Sequence, residues 1–220
     1  MSSVFATPEL RPVTVCGRRL EHSAHICAFF ESSDEEYDCL VPYFAEGLAQ
    51  GEQVISIRDS AELGAHQKRL AGAGLPTQAT VRSNQLRLLA SEETYLQDGH
   101  FEVERMYRMI ETALREADSG PFGRVRTCGD MSWALRELPG TEALMEYEAR
   151  INRLTEEHDC TLMCAYDVNR FSGRVLMDVL STHPLVVMGR SVVENPYYVA
   201  PKQFLQRLLH RGAAAPLARA

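Results

Sequence analysis

Short apolar runs alternate with amphipathic stretches along most of the chain. His25-Ile-Cys-Ala-Phe-Phe30 is a continuous apolar run of the kind that forms a buried strand. Glu31-Ser-Ser-Asp34 then supplies cap residues for a helix over about 34–50, with Leu40, Val41, Phe44 and Leu48 at helical spacing and Gly51 as its stop. Pro42 inside this stretch argues for a later start, because proline removes a helical N–H and crowds the preceding turn. Gln53–Arg58 reads as a second strand, followed by a helix over about 61–71 that stops at Gly72 and Gly74.

The pattern weakens and then sharpens again. It predicts short strands near 79–82 and at Leu86–Leu89, then a helix over about 101–118 whose apolar face carries Met106, Met109, Ile110 and Leu114. Arg124–Cys128 is a strand, 140–157 a helix, and Cys160–Tyr166 a strongly buried strand. A helix through Val175 and Val179, a strand at Leu185–Met188 and a terminal helix over 201–210 complete the series. Strands alternating with helices require crossover connections, and these place helices on both faces of a mostly parallel sheet. The expectation is one three-layer α/β domain over 21–211, with an N-terminal extension at 1–20 and a flexible tail at 212–220.

Composition narrows the function. The chain of 220 residues carries 23 Lys and Arg against 30 Asp and Glu, a net charge of −7. Such an acidic chain is a poor binder of nucleic acid, where phosphate neutralisation dominates affinity. No run approaches the length of a membrane span, and the first residues lack a basic, apolar signal pattern. These features predict a cytoplasmic protein whose six Cys are reduced, structural thiols.

Ligands of open α/β sheets bind beyond the carboxyl ends of the strands. Those positions carry Phe30 and Glu31, Arg58, Asp130 and Trp133, and Tyr166, Asp167, Arg170 and Phe171. The set suits a partly apolar ligand pocket with a few orienting charges. Asp130 and Asp167 equally suit helix caps, Trp133 a core position and Arg170 a structural ion pair. A phosphate loop is absent: the turn after the first strand reads Glu31-Ser-Ser-Asp-Glu-Glu-Tyr-Asp38, acidic and without Gly or Lys. His25 and Cys27 share one strand face, as do Cys160 and Cys164, but neither pair has zinc-site spacing. The sequence therefore calls for no cofactor and no metal. His183 before Pro184 reads as a packing or cap residue.

Several segments together resemble a known family. His25-Ile-Cys-Ala-Phe-Phe-Glu-Ser-Ser-Asp-Glu-Glu-Tyr37, Pro42-Tyr-Phe-Ala-Glu-Gly47, Gly129-Asp-Met-Ser-Trp-Ala134, Tyr147-Glu-Ala-Arg-Ile-Asn152, Cys164-Ala-Tyr-Asp-Val-Asn-Arg-Phe-Ser172, Thr182-His-Pro184 and Glu194-Asn-Pro-Tyr-Tyr198 resemble the MEDS domain, the methanogen/methylotroph sensory domain of dichloromethane-responsive repressors. The resemblance runs from about 21 to 209. It implies a RecA- or KaiC-like core that has lost its phosphate loop, and a sensory role toward simple hydrocarbon derivatives. One position departs from the family pattern: Asp130 stands where a Glu is expected.

The leading expectation is a non-enzymatic sensor that binds a small molecule and relays to a separate signalling partner, a kinase or transcription regulator, since no output domain is appended. The alternatives are a stand-alone interaction regulator, able to self-associate, and a small-molecule enzyme using a strand-end carboxylate or Cys164.

Overall fold

The computed structural model describes residues 12–210 and 216–218. Its first elements are two short antiparallel strands, β1 (Val13–Val15) and β2 (Arg18–Leu20). The alternating units follow: β3 (Ala24–Phe30), α1 (Ser33–Ala49), β4 (Gln53–Arg58), α2 (Ser60–Gly72), α3 (Thr77–Arg82), β5 (Leu86–Ala90), α4 (Val103–Ser119) and β6 (Val125–Asp130). Then come α5 (Leu144–Glu157), β7 (Cys160–Asp167), α6 (Gly173–Thr182), β8 (Leu185–Met188), β9 (Ser191–Glu194) and α7 (Pro201–His210).

The main sheet has seven strands in the order β5-β4-β6-β7-β3-β8-β9, parallel except for β9. All seven residues of β3 and all six of β4 are buried, which is why those strands read as continuous apolar runs rather than as alternations. Side chains still alternate between faces. Ile26, Ala28 and Phe30 pack under α1 and α2, whereas Cys27 and Phe29 join the cluster beneath α4, α5, α6 and α7. The result is three layers with two apolar cores.

Connectivity places the site. β3 continues into α1 on one face and reaches β4 beyond two intervening strands, whereas β7, its direct neighbour, continues into α6 on the other face. The two connections diverge at the carboxyl ends of β3 and β7, the crevice where such sheets bind ligands.

Several local expectations need correction. α1 starts at Ser33 and runs through Pro42. Pro42 sits on the exposed side, while Leu40, Tyr43, Phe44 and Leu48 hold the other side in the core. The stretch near 79–82 is helical, not a strand. Its β-branched residues sit in a short helix in which Thr80 Oγ1 donates to the Pro76 carbonyl at 2.9 Å. Part of the expected N-terminal extension is core: Val13 and Val15 are buried, and Thr14 N donates to Glu46 of α1 at 2.8 Å. Pro216–Ala218, in the expected tail, pack back on the chain, with Ser172 N donating to the Leu217 carbonyl at 2.8 Å. The rest of the extension (1–11) and of the tail (212–215 and 219–220) lies outside the described residues.

Candidate functional site

A cavity of about 300 Å³ opens at the carboxyl ends of β3, β4, β6 and β7, on the face covered by α1 and α2. Phe30 and Ala165, from adjacent strands, give it an apolar floor, and Ala65 of α2 adds to the wall. The remainder is polar. Arg58, at the end of β4, is only 5% exposed and pairs with Glu36 of α1, while Glu62 lies 4.0 Å away. Burial works against this guanidinium, but its neighbours, Glu36 foremost, outweigh it and hold its pKa above the ordinary value.

Helical residues close one side. The Arg69 guanidinium sits 3.9 Å from the Tyr37 ring centre and pairs with Asp34 at 2.5 Å. His66 is enclosed between Tyr37 Oη, 2.5 Å from Nδ1, and Ser56 Oγ, 3.0 Å from Nε2. Burial, helped by Arg58, pulls the imidazole pKa down to about 3, so the ring is neutral, with one nitrogen donating and the other accepting. Burial also raises the Tyr37 phenol above its usual range.

The acidic segment after β3 behaves as a self-capped helix start. Ser32 Oγ accepts from Glu35 N at 3.3 Å, and Glu35 reaches back to accept from Glu31 N at 2.7 Å. N–H groups at this helix start are thus met by the chain's own oxygens, with Asp34, Glu35 and Glu36 in the first turn.

Six of the nine strand-end residues border the cavity: Phe30, Arg58, Asp130, Tyr166, Asp167 and Arg170. Asp130 and Asp167 also shape their own turns, accepting from Ser132 N and Asn169 N at 2.9 Å each. Arg170 is exposed at the rim. Tyr166 contributes its place on the strand, but its ring packs under α5 and its hydroxyl donates to Glu148 at 2.5 Å.

Three residues lie elsewhere. Trp133 is 3% exposed, stacked on Tyr95 with ring centres 4.7 Å apart and with Phe101 at 4.5 Å. Phe171 packs edge-on against Tyr166 at 5.0 Å. Glu31 points to solvent, its carbonyl accepting from Asn169 at 2.9 Å. The strand-end rule misses Glu36, Tyr37, Glu62, His66 and Arg69, because these lie on helices. The signal for them was the first three turns of the helix after each strand, which fold back over the same crevice.

The sequence model of the family described as MEDS, the MEthanogen/methylotroph, DcmR Sensory domain, matches residues 24–184. The chain is 27% identical over 172 residues to the transcriptional repressor DcmR of Methylorubrum extorquens, covering 77% of this chain and 61% of that protein. It therefore spans about three fifths of the curated relative's length. In structure it is similar to a KaiC-like protein from the hyperthermophilic archaeon Pyrococcus horikoshii, with a TM-score of 0.52 and 10% identity, covering 76% of this chain and 70% of that one. That likeness establishes the fold, a KaiC-like three-layer core. No helix among the described residues is long and apolar enough to cross a membrane.

Proposed function

The chain belongs to the MEDS family of sensory domains, and on that premise we propose that it is a non-catalytic sensor binding a small oxygenated carbon compound in the strand-end cavity. The carrying observation is the make-up of the cavity: an apolar floor of Phe30 and Ala165 faces Arg58, Asp130, Asp167 and Arg170. A short carbon skeleton would rest on the floor, and a hydroxyl, carbonyl or carboxylate would meet the charged rim. The enclosed volume, about 300 Å³, suits a molecule of a few heavy atoms and its water. The self-capped acidic helix start argues against a nucleotide triphosphate.

Relay would follow from which segments meet the ligand. The β3–α1, β4–α2 and β7–α6 connections all border the cavity, so a ligand bridging them favours one arrangement of α1 and α2 over another. The output would reach a signalling module, a kinase or transcription regulator, and the repressor relative favours the latter.

A thermal-shift screen tests this. The panel holds short alcohols, aldehydes, carboxylic acids and halogenated methanes, with Mg-ATP as a contrast. At a hundred times Kd a ligand adds about 2.7 kcal/mol of stability, a readily measured rise in Tm. Stabilisation by an oxygenated compound, lost in Asp130→Ala, supports the reading. Stabilisation by Mg-ATP alone overturns it.

A further inference from the structure

On the opposite face of the sheet, four side chains able to ligate a metal converge in the interior. They are His25 of β3, Glu148 of α5, Cys164 of β7 and His183 at the end of α6, all buried, with their ligand atoms within 4.8 Å of one another. Glu148 Oε2 stands 3.2 Å from His25 Nε2, 3.2 Å from His183 Nε2 and 3.4 Å from Cys164 Sγ. Cys164 Sγ is 3.6 Å from His25 Nε2.

These four separations match four of the six edges of a coordination tetrahedron. With Zn–N and Zn–O of about 2.0–2.2 Å and Zn–S of about 2.3 Å, an N–O edge is roughly 3.4 Å and an edge to sulfur roughly 3.6 Å. All four measured edges fall within about 0.2 Å of those values.

Hydrogen bonding leaves the same gap. His183 Nδ1 lies 2.8 Å from the Val179 carbonyl, which can only accept. Nδ1 therefore carries a proton, and in the neutral ring Nε2 presents a lone pair. Buried and without a hydrogen-bond partner, that lone pair faces a carboxylate oxygen, acceptor against acceptor. A cation between them resolves the conflict. The outer contacts already orient the ligands: Tyr166 holds Glu148 Oε1 at 2.5 Å, and Asn152 Nδ2 donates to the Thr182 carbonyl, next to His183, at 2.8 Å.

We propose that His25, Glu148, Cys164 and His183 form a closed site for a divalent transition-metal cation, with zinc the best fit. One carboxylate, one thiolate and two neutral imidazoles carry two negative charges, which a dication balances inside the core; binding releases the thiol proton. Thiolate and imidazole favour zinc over magnesium or calcium. Four buried protein ligands leave no open position, so the ion is structural, tying β3 and β7 to α5 and to the α6–β8 connection. The assignment does not depend on what occupies the strand-end cavity.

The test uses the full chain, purified from zinc-supplemented cells and also refolded with zinc or cobalt(II). The expected results are one zinc per chain by elemental analysis, a Tm that falls on chelation, and a cobalt spectrum with tetrahedral d–d bands and a thiolate charge-transfer band. Cys164→Ser should abolish the charge-transfer band. Should that variant fail to fold, the cobalt spectrum of the unaltered chain still decides. A cooperatively folded chain that takes up no stoichiometric zinc, or refolds equally well in chelator, overturns the proposal, as does a cobalt complex lacking the thiolate band.

Discussion

A β-carbon on Gly47 of α1 would stand 2.5 Å from Nε of Arg126 in β6. The two residues are fitted to each other. Arg126 is fully buried, pairs with Glu52, and donates from Nη1 to the Tyr43 carbonyl at 2.6 Å and to Glu46 at 3.0 Å. Only a residue without a side chain lets α1 lie this close to a pinned guanidinium. Gly47→Ala should therefore lower stability by about 1–3 kcal/mol, although alanine is the better helix former. Gly64→Ala, in α2 with nothing within 4 Å of the new carbon, should be neutral or stabilising by up to about 1 kcal/mol. Urea midpoints of the two variants check the contrast.

Trp133 is a core residue, and two measurements follow. Its emission, from the chain's sole tryptophan, should be blue-shifted and resistant to iodide quenching, as its 3% exposure requires. Trp133→Ala should cost about 3–5 kcal/mol by emptying the space between Tyr95 and Phe101. Trp133→Phe should restore most of it. A quenchable tryptophan, or an alanine variant of unchanged midpoint, would place the ring at the surface instead.

Much of the fold was legible because the central strands are buried on both faces and so stand out as apolar runs. Gln53–Arg58 and Leu185–Met188 match the observed strands residue for residue. What stayed hidden depends on tertiary contacts. The edge strand β9 has one buried residue in four, and the turn before it rests on Gly189 at φ 57°. β1 and β2 are three residues each, too short for a period, although Val13 and Val15 alternate around Thr14. For the site, the strand-end rule locates the crevice but not side-chain direction: Tyr166 and Trp133 turn into the α4–α5 core. The four metal-ligating residues come from four separate segments, so no spacing in the sequence announces them. In the parallel register Cys27 lies opposite Cys164, which brings His25 within reach of that thiol.

Arg170 offers the cleanest probe of the cavity. It is exposed, and its side chain makes no hydrogen bond or ion pair among the described residues. Arg170→Ala should change stability by less than about 0.5 kcal/mol. Affinity for a carboxylate or carbonyl ligand should fall by about tenfold or more, the worth of one charged hydrogen bond. Titration calorimetry with the compound found in the screen measures this. Unchanged affinity would move the polar end of the ligand to Arg58.

Part of the acid sensitivity should trace to His66. In the folded chain its pKa is about 3, because burial and then the neighbouring Arg58 oppose the charged ring; its ordinary value is 6.5. Between those values the unfolded chain binds a proton that the native chain refuses. Unfolding then takes up a proton, so stability falls as pH drops below about 6.5, and its slope rises toward 1.4 kcal/mol per pH unit from this one residue. Above pH 6.5 the contribution is fully present. Tyr37 from α1 and Ser56 and Arg58 from β4 face the ring, and none of them titrates in that window. His66→Gln keeps a hydrogen-bonding side chain without the titration. Comparing denaturant midpoints of the two proteins from pH 7.5 to pH 4.5 should show a shallower fall in the variant, and its stability relative to the unaltered chain should improve steadily toward low pH. Parallel curves would mean that the His66 ring takes up its proton in the native chain as readily as in the unfolded one, so that its enclosure does not suppress protonation.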